Sequence, residues 1–152
     1  MKSLIFILVI CTIISCGTDQ NPSKSYNYSI VNNSSYVIEI VPYNIQGVKE
    51  IQKKITIPIG GVLNRFFNDT SPPQGFNFQS MIVTTNGIGY LTSVDFIFNN
   101  LKKTNYNTCI SIECASPPRN IFNLNYNFGQ NQVYIITNSD YDAATDCGGN
   151  CN

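Results

Sequence analysis

The stretch SYNYSIVNNSSYVIEIVPY, residues 25–43, holds two runs of alternating side chains separated by NNSS. In the first run Tyr26, Tyr28 and Ile30 fall on one side of an extended chain and mostly polar residues fall on the other. The second run is rich in Val and Ile, which suit a pleated surface. Asn and Ser between the runs are turn formers, so the pair predicts a β-hairpin. Pro42 brings no N–H to a ladder, which makes the second run an edge or ends it there.

The same two-residue period recurs outward from this stretch. VKEIQKKITI spaces Ile51, Ile55 and Ile57 at even separations with Lys and Thr between, as in a half-buried strand, and PIGG stops it. A short strand VLNRFF follows, then NDTSPPQG, a loop of turn formers. Asn86 and Gly87 both tolerate positive φ and predict a type I′ hairpin within residues 78–98. In SVDFIF, Val94, Phe96 and Phe98 share one face with Asp95 opposite, and NNLKK turns the chain again. NIFNLNYNF alternates less cleanly, and QVYIITNSDYDAA reads as a closing strand that ends in a polar corner. No segment keeps a 3.6-residue period over three turns. Seven or eight strands spaced by roughly 8–12 residues predict an all-β fold, an antiparallel Ig-like sandwich or a partly open barrel.

The amino terminus carries a different message. MKSLIFILVICTIISC has a charged start, an apolar run over residues 4–14 and a small residue, Ser15, before Cys16. Eleven helical residues reach roughly 16 Å, against a hydrocarbon core of about 30 Å, so the run is too short to span. It has the three-part layout of a secretory signal peptide. Cys11 within it behaves as a small hydrophobe. The residues Ile13, Ile14, Ser15 and Cys16 resemble the lipobox of bacterial lipoproteins. That resemblance implies a diacylglycerol on the Cys16 thiol, cleavage before it and acylation of the new amino terminus. Two or more chains anchor firmly, since each buried CH₂ contributes about 0.8 kcal/mol. GTDQNPSKS, residues 17–25, is polar and aperiodic and reads as a flexible tether. The expected organisation is therefore a signal peptide over residues 1–15, a lipidated tether over 16–25 and one β domain over 26–152, held by the lipid on the outer membrane of a cell envelope. The residue after Cys16 is Gly17, and Asp19 is the single nearby acid, so periplasmic and surface faces both stay open.

YNYSIVNNSSYVIEI (residues 26–40), SVDFIFNN (93–100) and VYIITNSDYDAA (133–144) together resemble a set of small lipoproteins of Bacteroidota. They share a Tyr-rich first strand, an Asn-Ser turn and a closing strand ending in Asp-Tyr-x-x-Ala. The motifs are structural, and the family brings no known activity with it.

The full chain of 152 residues has 9 basic and 9 acidic side chains and no histidine. Removing the first 15 residues takes away Lys2 alone, which leaves a net charge of −1. A nucleic-acid partner needs a concentrated basic face, whereas here only Lys53–Lys54 and Lys102–Lys103 are adjacent pairs, read as solvated edges or turns. Without imidazole there is no Ser-His-Asp or Cys-His site and no histidine ligand to a catalytic metal. No Gly-rich phosphate loop joins a strand to a helix. Glu39, Glu50, Asp95 and Glu113 supply carboxylates, but nothing in the sequence brings two of them within the roughly 10 Å that glycoside hydrolysis needs. The chain reads as a non-enzyme without a cofactor.

Four cysteines follow the tether: Cys109, Cys114, Cys147 and Cys151. An even number in an exported chain predicts two disulfides, and local pairing, Cys109 with Cys114 and Cys147 with Cys151, is the preferred of three connectivities. CGGNC turns readily on its glycines. ISIE between the first pair must bend, because five extended steps span about 16 Å and bridged Cα atoms lie within about 7 Å. A Cys₄ zinc site prefers C-x₂-C spacing, and a redox dithiol needs C-x-x-C. Asp140, Asp142 and Asp146 suggest Ca²⁺, yet the loop lacks the central Gly and closing Glu of the signature and reads equally as a capped corner.

The reading is a lipid-anchored envelope protein with a binding or structural role, contacting an envelope protein or a glycan. Tyr26, Tyr28, Tyr43, Tyr90 and Tyr106 either form a binding face or pack within the sheets, and packing is the weightier choice. An envelope inhibitor or immunity lipoprotein is the alternative, with NDTSPPQGFN, residues 68–77, as the loop that would present an anchor to an enzyme cleft.

Overall fold

The computed structural model describes residues 22–70, 73–108, 119–127 and 129–151. The apolar stretch 4–14, Cys16, the tether to residue 21, Cys109, Glu113 and Cys114 lie outside them. The strands are β1 (Lys24–Asn32), β2 (Ile38–Tyr43), β3 (Ile55–Ile57), β4 (Val62–Asp69), β5 (Ser93–Phe98), β6 (Lys102–Asn107), β7 (Asn131–Ile136) and β8 (Thr145–Asp146). They form a three-stranded sheet in the order β4-β1-β7 and a five-stranded sheet in the order β3-β2-β5-β6-β8. The arrangement is sandwich-like and not a closed barrel. Every neighbouring pair is antiparallel except β1 and β7, which run parallel.

The expected hairpin between residues 25–32 and 36–43 does not form. β1 and β2 lie in different sheets, and NNSS is an arch that carries the chain across the sandwich. An arch lets Tyr28 and Ile30 face Ile38 and Ile40 through the core, where a hairpin would set them side by side on one sheet. Asn32, fully buried, makes the crossing possible. Its Nδ2 donates to the carbonyls of Tyr36 at 2.8 Å, Ile57 at 3.2 Å and Pro58 at 3.0 Å, while Oδ1 accepts from the hydroxyl and the N–H of Ser34. Buried carbonyls at the start of β2 and the end of β3 are thereby satisfied by one side chain. Pro42 stands one residue before the end of β2, where β3 no longer pairs, so its missing N–H is tolerated.

The core fills the space between the sheets. An aromatic chain runs through it: Phe76 meets Tyr28 at 5.5 Å, Tyr28 meets Phe78 at 4.9 Å, and Phe96 meets Tyr106 at 5.2 Å, all edge to face. The buried hydroxyls find partners, Tyr28 donating to the Gly129 carbonyl at 2.8 Å and Tyr134 to the Arg119 carbonyl at 2.7 Å. Burial pushes the Tyr134 and Tyr106 phenols up.

Residues 78–86 are a helix, α1 (Phe78–Asn86), and not the first arm of a type I′ hairpin. Asn77 caps it by accepting from the Ser80 N–H, and Gly87 ends it with φ 66° and its N–H on the Val83 carbonyl. The positive φ that suits Asn-Gly to a hairpin equally suits it to a helix C-cap. Phe78, Met81 and Ile82 face the core at helical spacing. Thr84 and Thr85 return their hydroxyls to the Ser80 and Met81 carbonyls, at 2.8 and 2.7 Å.

Three other expectations also change. Residues 51–53 form a 3₁₀ turn with Ile51 exposed, so only Ile55 and Ile57 of that run enter a strand. NIFNLNYNF is not a strand: Ile121 and Phe122 are buried, and a 3₁₀ turn follows at Leu124–Tyr126. The closing strand ends at Ile136 and gives way to α2 (Asn138–Ala143), whose N-terminus is fixed by Asp140 accepting from the N–H of Thr137 at 2.7 Å. Among the described residues no helix is long and apolar enough to cross a membrane.

Candidate functional site

The outer face of the three-stranded sheet is built from alternate residues of its strands. Register places Asn27 beside Phe66 and Asn131, Ser29 beside Asn64 and Val133, and Val31 beside Val62 and Ile135. Ser25 and Asn68 complete it. None of these eleven residues is charged. Phe66 is 66% exposed, Val62 58%, Val133 56% and Ile135 43%. Single exposed apolar residues are ordinary; these four share one uncharged sheet face.

The outer face of the five-stranded sheet has the opposite treatment. Cys151 is buried there with Val41 and Ile97, and Cys147 packs against the same group. The loop between these cysteines is held down at several points. The Cys147 N–H donates to the Leu101 carbonyl at 3.0 Å, the Cys151 N–H to Asn100 Oδ1 at 3.0 Å, and Lys49 Nζ to the Cys151 carbonyl at 2.6 Å. Cys147 and Cys151 lie at disulfide distance, Cα atoms 5.2 Å apart, as the CGGNC spacing predicts.

Beside this loop sits Asp95, 1% exposed. Its Oδ1 accepts from Asn105 Nδ2 at 2.8 Å; its Oδ2 accepts from the Tyr43 hydroxyl at 2.9 Å and lies 3.0 Å from Lys49 Nζ and 3.7 Å from Lys103 Nζ. Desolvation pulls the carboxyl pKa up, but the hydrogen bonds from Asn105, Lys49 and Tyr43 outweigh it and hold the group below its ordinary value. Burial and the neighbouring carboxylate push the Tyr43 phenol up to about 12. Every oxygen of the carboxylate is occupied by a protein donor, so the cluster is a structural knot and offers no free base.

At the end of the sandwich where β1 begins, two shallow depressions share Phe76, and one of them also touches the open face at Phe66. One, of about 260 Å³, is lined by Arg65, Phe66, Phe67, Phe76 and Thr84; the other, of about 390 Å³, by Lys24, Tyr26, Gly75, Phe76, Asn127, Gly129 and Gln130. Phe67 stacks on Phe76 with centroids 4.8 Å apart.

The residues singled out from the sequence scatter. Tyr26, Tyr28 and Tyr106 are buried and Tyr43 is tied to Asp95, so of the five only Tyr90 stands free in solvent and no tyrosine face exists. In the segment 68–77, of which residues 71 and 72 lie outside the described residues, Asp69 accepts from the Gly75 N–H at 2.6 Å, and Phe76 turns into the core. Asp140 pairs with Arg119 and caps α2, apart from any ligand set with Asp142 and Asp146. Among the described residues no three His, Cys, Asp or Glu side chains gather as metal ligands. Glu39 pairs with Lys54 and Glu50 accepts from Asn44, while the register sets Glu39 and Asp95 as diagonal neighbours on the outer face of β2 and β5. Lys102 and Lys103 are more than solvated edges: Lys102 Nζ lies 4.7 Å over the Tyr141 ring, and Lys103 reaches toward Asp95.

Sequence reading passed over the open face because its signal is a deficit, the missing charges on alternate positions of three separate strands. No family model, curated protein or solved structure matches the chain.

Proposed function

We propose that the protein is an envelope lipoprotein, held by acyl chains on Cys16, whose role is to make contacts and not to transform a substrate. The observation that carries this reading is the unequal finish of the two sheets. One outer face is closed by a pinned carboxy-terminal loop, while the other leaves Val62, Phe66, Val133 and Ile135 in water on a surface without a single charge. Such a surface costs solubility unless something meets it. The lipobox resemblance at residues 13–16 supports the location, and the first described strand begins at Lys24, eight residues after Cys16.

The test is mass spectrometry of the intact chain purified from bacterial membranes, with detergent partition of the same sample. The expected product starts at Cys16, carries diacylglycerol and an N-acyl chain, and enters the detergent phase. An unmodified thiol at Cys16, or release into buffer without detergent, refutes the proposal.

A further inference from the structure

We infer that the uncharged outer face of the three-stranded sheet lies against the membrane that holds the Cys16 lipid. The inference rests on the lipoprotein reading and names the partner for its contact surface.

Reach comes first. Eight residue steps separate Cys16 from Lys24, where β1 starts, a distance of roughly 16 Å for a flexible chain and about 27 Å at full stretch. Asn27 lies beside Phe66 in the ladder, so the one exposed aromatic of this face sits four positions along β1 from its start. Charge agrees with a bilayer. The face itself has none, and the nearby carboxylate of Asp69 is buried and turned inward onto the Gly75 N–H.

Size selects this occupant over a second copy of the chain. Three strands spaced by about 4.8 Å and some eight residues long cover roughly 14 by 27 Å, or about 400 Å². A standard interface buries about 800 Å² on each partner. A free partner must also offset the loss of its translational and rotational freedom, which so small a patch does poorly. For a domain already tethered, that cost is met by the lipid, and the membrane surface is present at high effective concentration. Weak burial of Phe66, Val133 and their neighbours at the headgroup boundary then suffices to orient the domain.

The chain has no tryptophan, so a single introduced indole reports unambiguously. Full-length chains carrying Phe66→Trp, Val133→Trp or Leu101→Trp are purified from a lipoprotein-processing bacterium and returned to phosphatidylcholine vesicles, with and without brominated acyl chains. Leu101 lies in the turn of the five-stranded sheet and is 45% exposed, which makes it the control. The expected result is that indoles at 66 and 133 lose about half of their emission to brominated lipid, at low and high salt alike, while the indole at 101 keeps its own. Equal quenching at all three positions, or none at 66 and 133, overturns the inference. Mass spectrometry of the same samples reads Cys16 separately. An acylated Cys16 without quenching overturns the docking alone, and a free thiol overturns the lipoprotein reading and this inference with it.

Discussion

Replacing Asp95 by Ala tests whether the knot on the outer face of the five-stranded sheet holds the fold. The carboxylate is 1% exposed and occupied by Asn105, Tyr43 and Lys49. Its removal leaves the Tyr43 phenol and the Asn105 amide without this acceptor and Lys49 with the Cys151 carbonyl alone, and breaking a buried pair from one side costs about 3–5 kcal/mol. Lys49 and Lys103 keep side-chain exposures of 15% and 37%, so both can turn toward water, and the lower end, about 3 kcal/mol, is expected. For a chain of this size that lowers Tm by roughly 6–12 °C. Urea titrations of Asp95→Ala, Lys49→Met and the double variant complete a cycle, with an expected coupling of about 1–2 kcal/mol. The pH dependence has a fixed sign. The folded carboxyl titrates below its unfolded value of 3.8, so its contribution is complete above that value and is lost as pH falls through the folded pKa. The wild type should therefore lose its advantage over Asp95→Ala below about pH 4. A cost under about 1 kcal/mol, or a coupling inside the error of about 0.5 kcal/mol, refutes the reasoning.

Asn32→Ala strands the carbonyls of Tyr36, Ile57 and Pro58 and the Ser34 hydroxyl, and should cost about 2–4 kcal/mol in chemical denaturation; a cost below about 1 would mean that the arch closes without it. Gly87→Ala puts a Cβ on a residue with φ 66° at the end of α1, with open space around it, so only backbone strain acts and about 1 kcal/mol is expected by the same measurement. With Cys147 and Cys151 bridged, replacing both by Ser should speed hydrogen exchange at the amides of residues 147 and 151 and cost about 2 kcal/mol, and exchange equal to wild type would show that Lys49 and Asn100 pin the loop unaided.

Strand content was legible because a two-residue period states which residues share a face. Tyr26, Tyr28 and Ile30 form one set and Val94, Phe96 and Phe98 another, and both sets enter the core as the alternation requires. Alternation does not state which strands are neighbours. NNSS serves a hairpin and an arch equally well at the level of turn chemistry, and the choice is made by where Tyr28 and Ile38 can both be buried. The same ambiguity hid α1, since Asn86 and Gly87 mark a positive φ without saying what precedes it, and nine residues are too few for a helical period to declare itself. A shorter signal was present in Thr137 and Asp140, three apart, which is the spacing of a capping box ahead of α2. Asp95 marks a further limit of period reasoning: placed opposite Val94 and Phe96 it reads as solvent-facing, yet the carboxy-terminal loop and Lys49 close over that side. Burial on the second face of a sheet depends on chain far away in sequence, here more than fifty residues on. The open face of β4, β1 and β7 is the converse case. β4 joins β1 by antiparallel pairing across some thirty to forty-five residues and β7 joins it in parallel about a hundred positions on, so the absence of charge becomes a property of one surface only after the chain has folded.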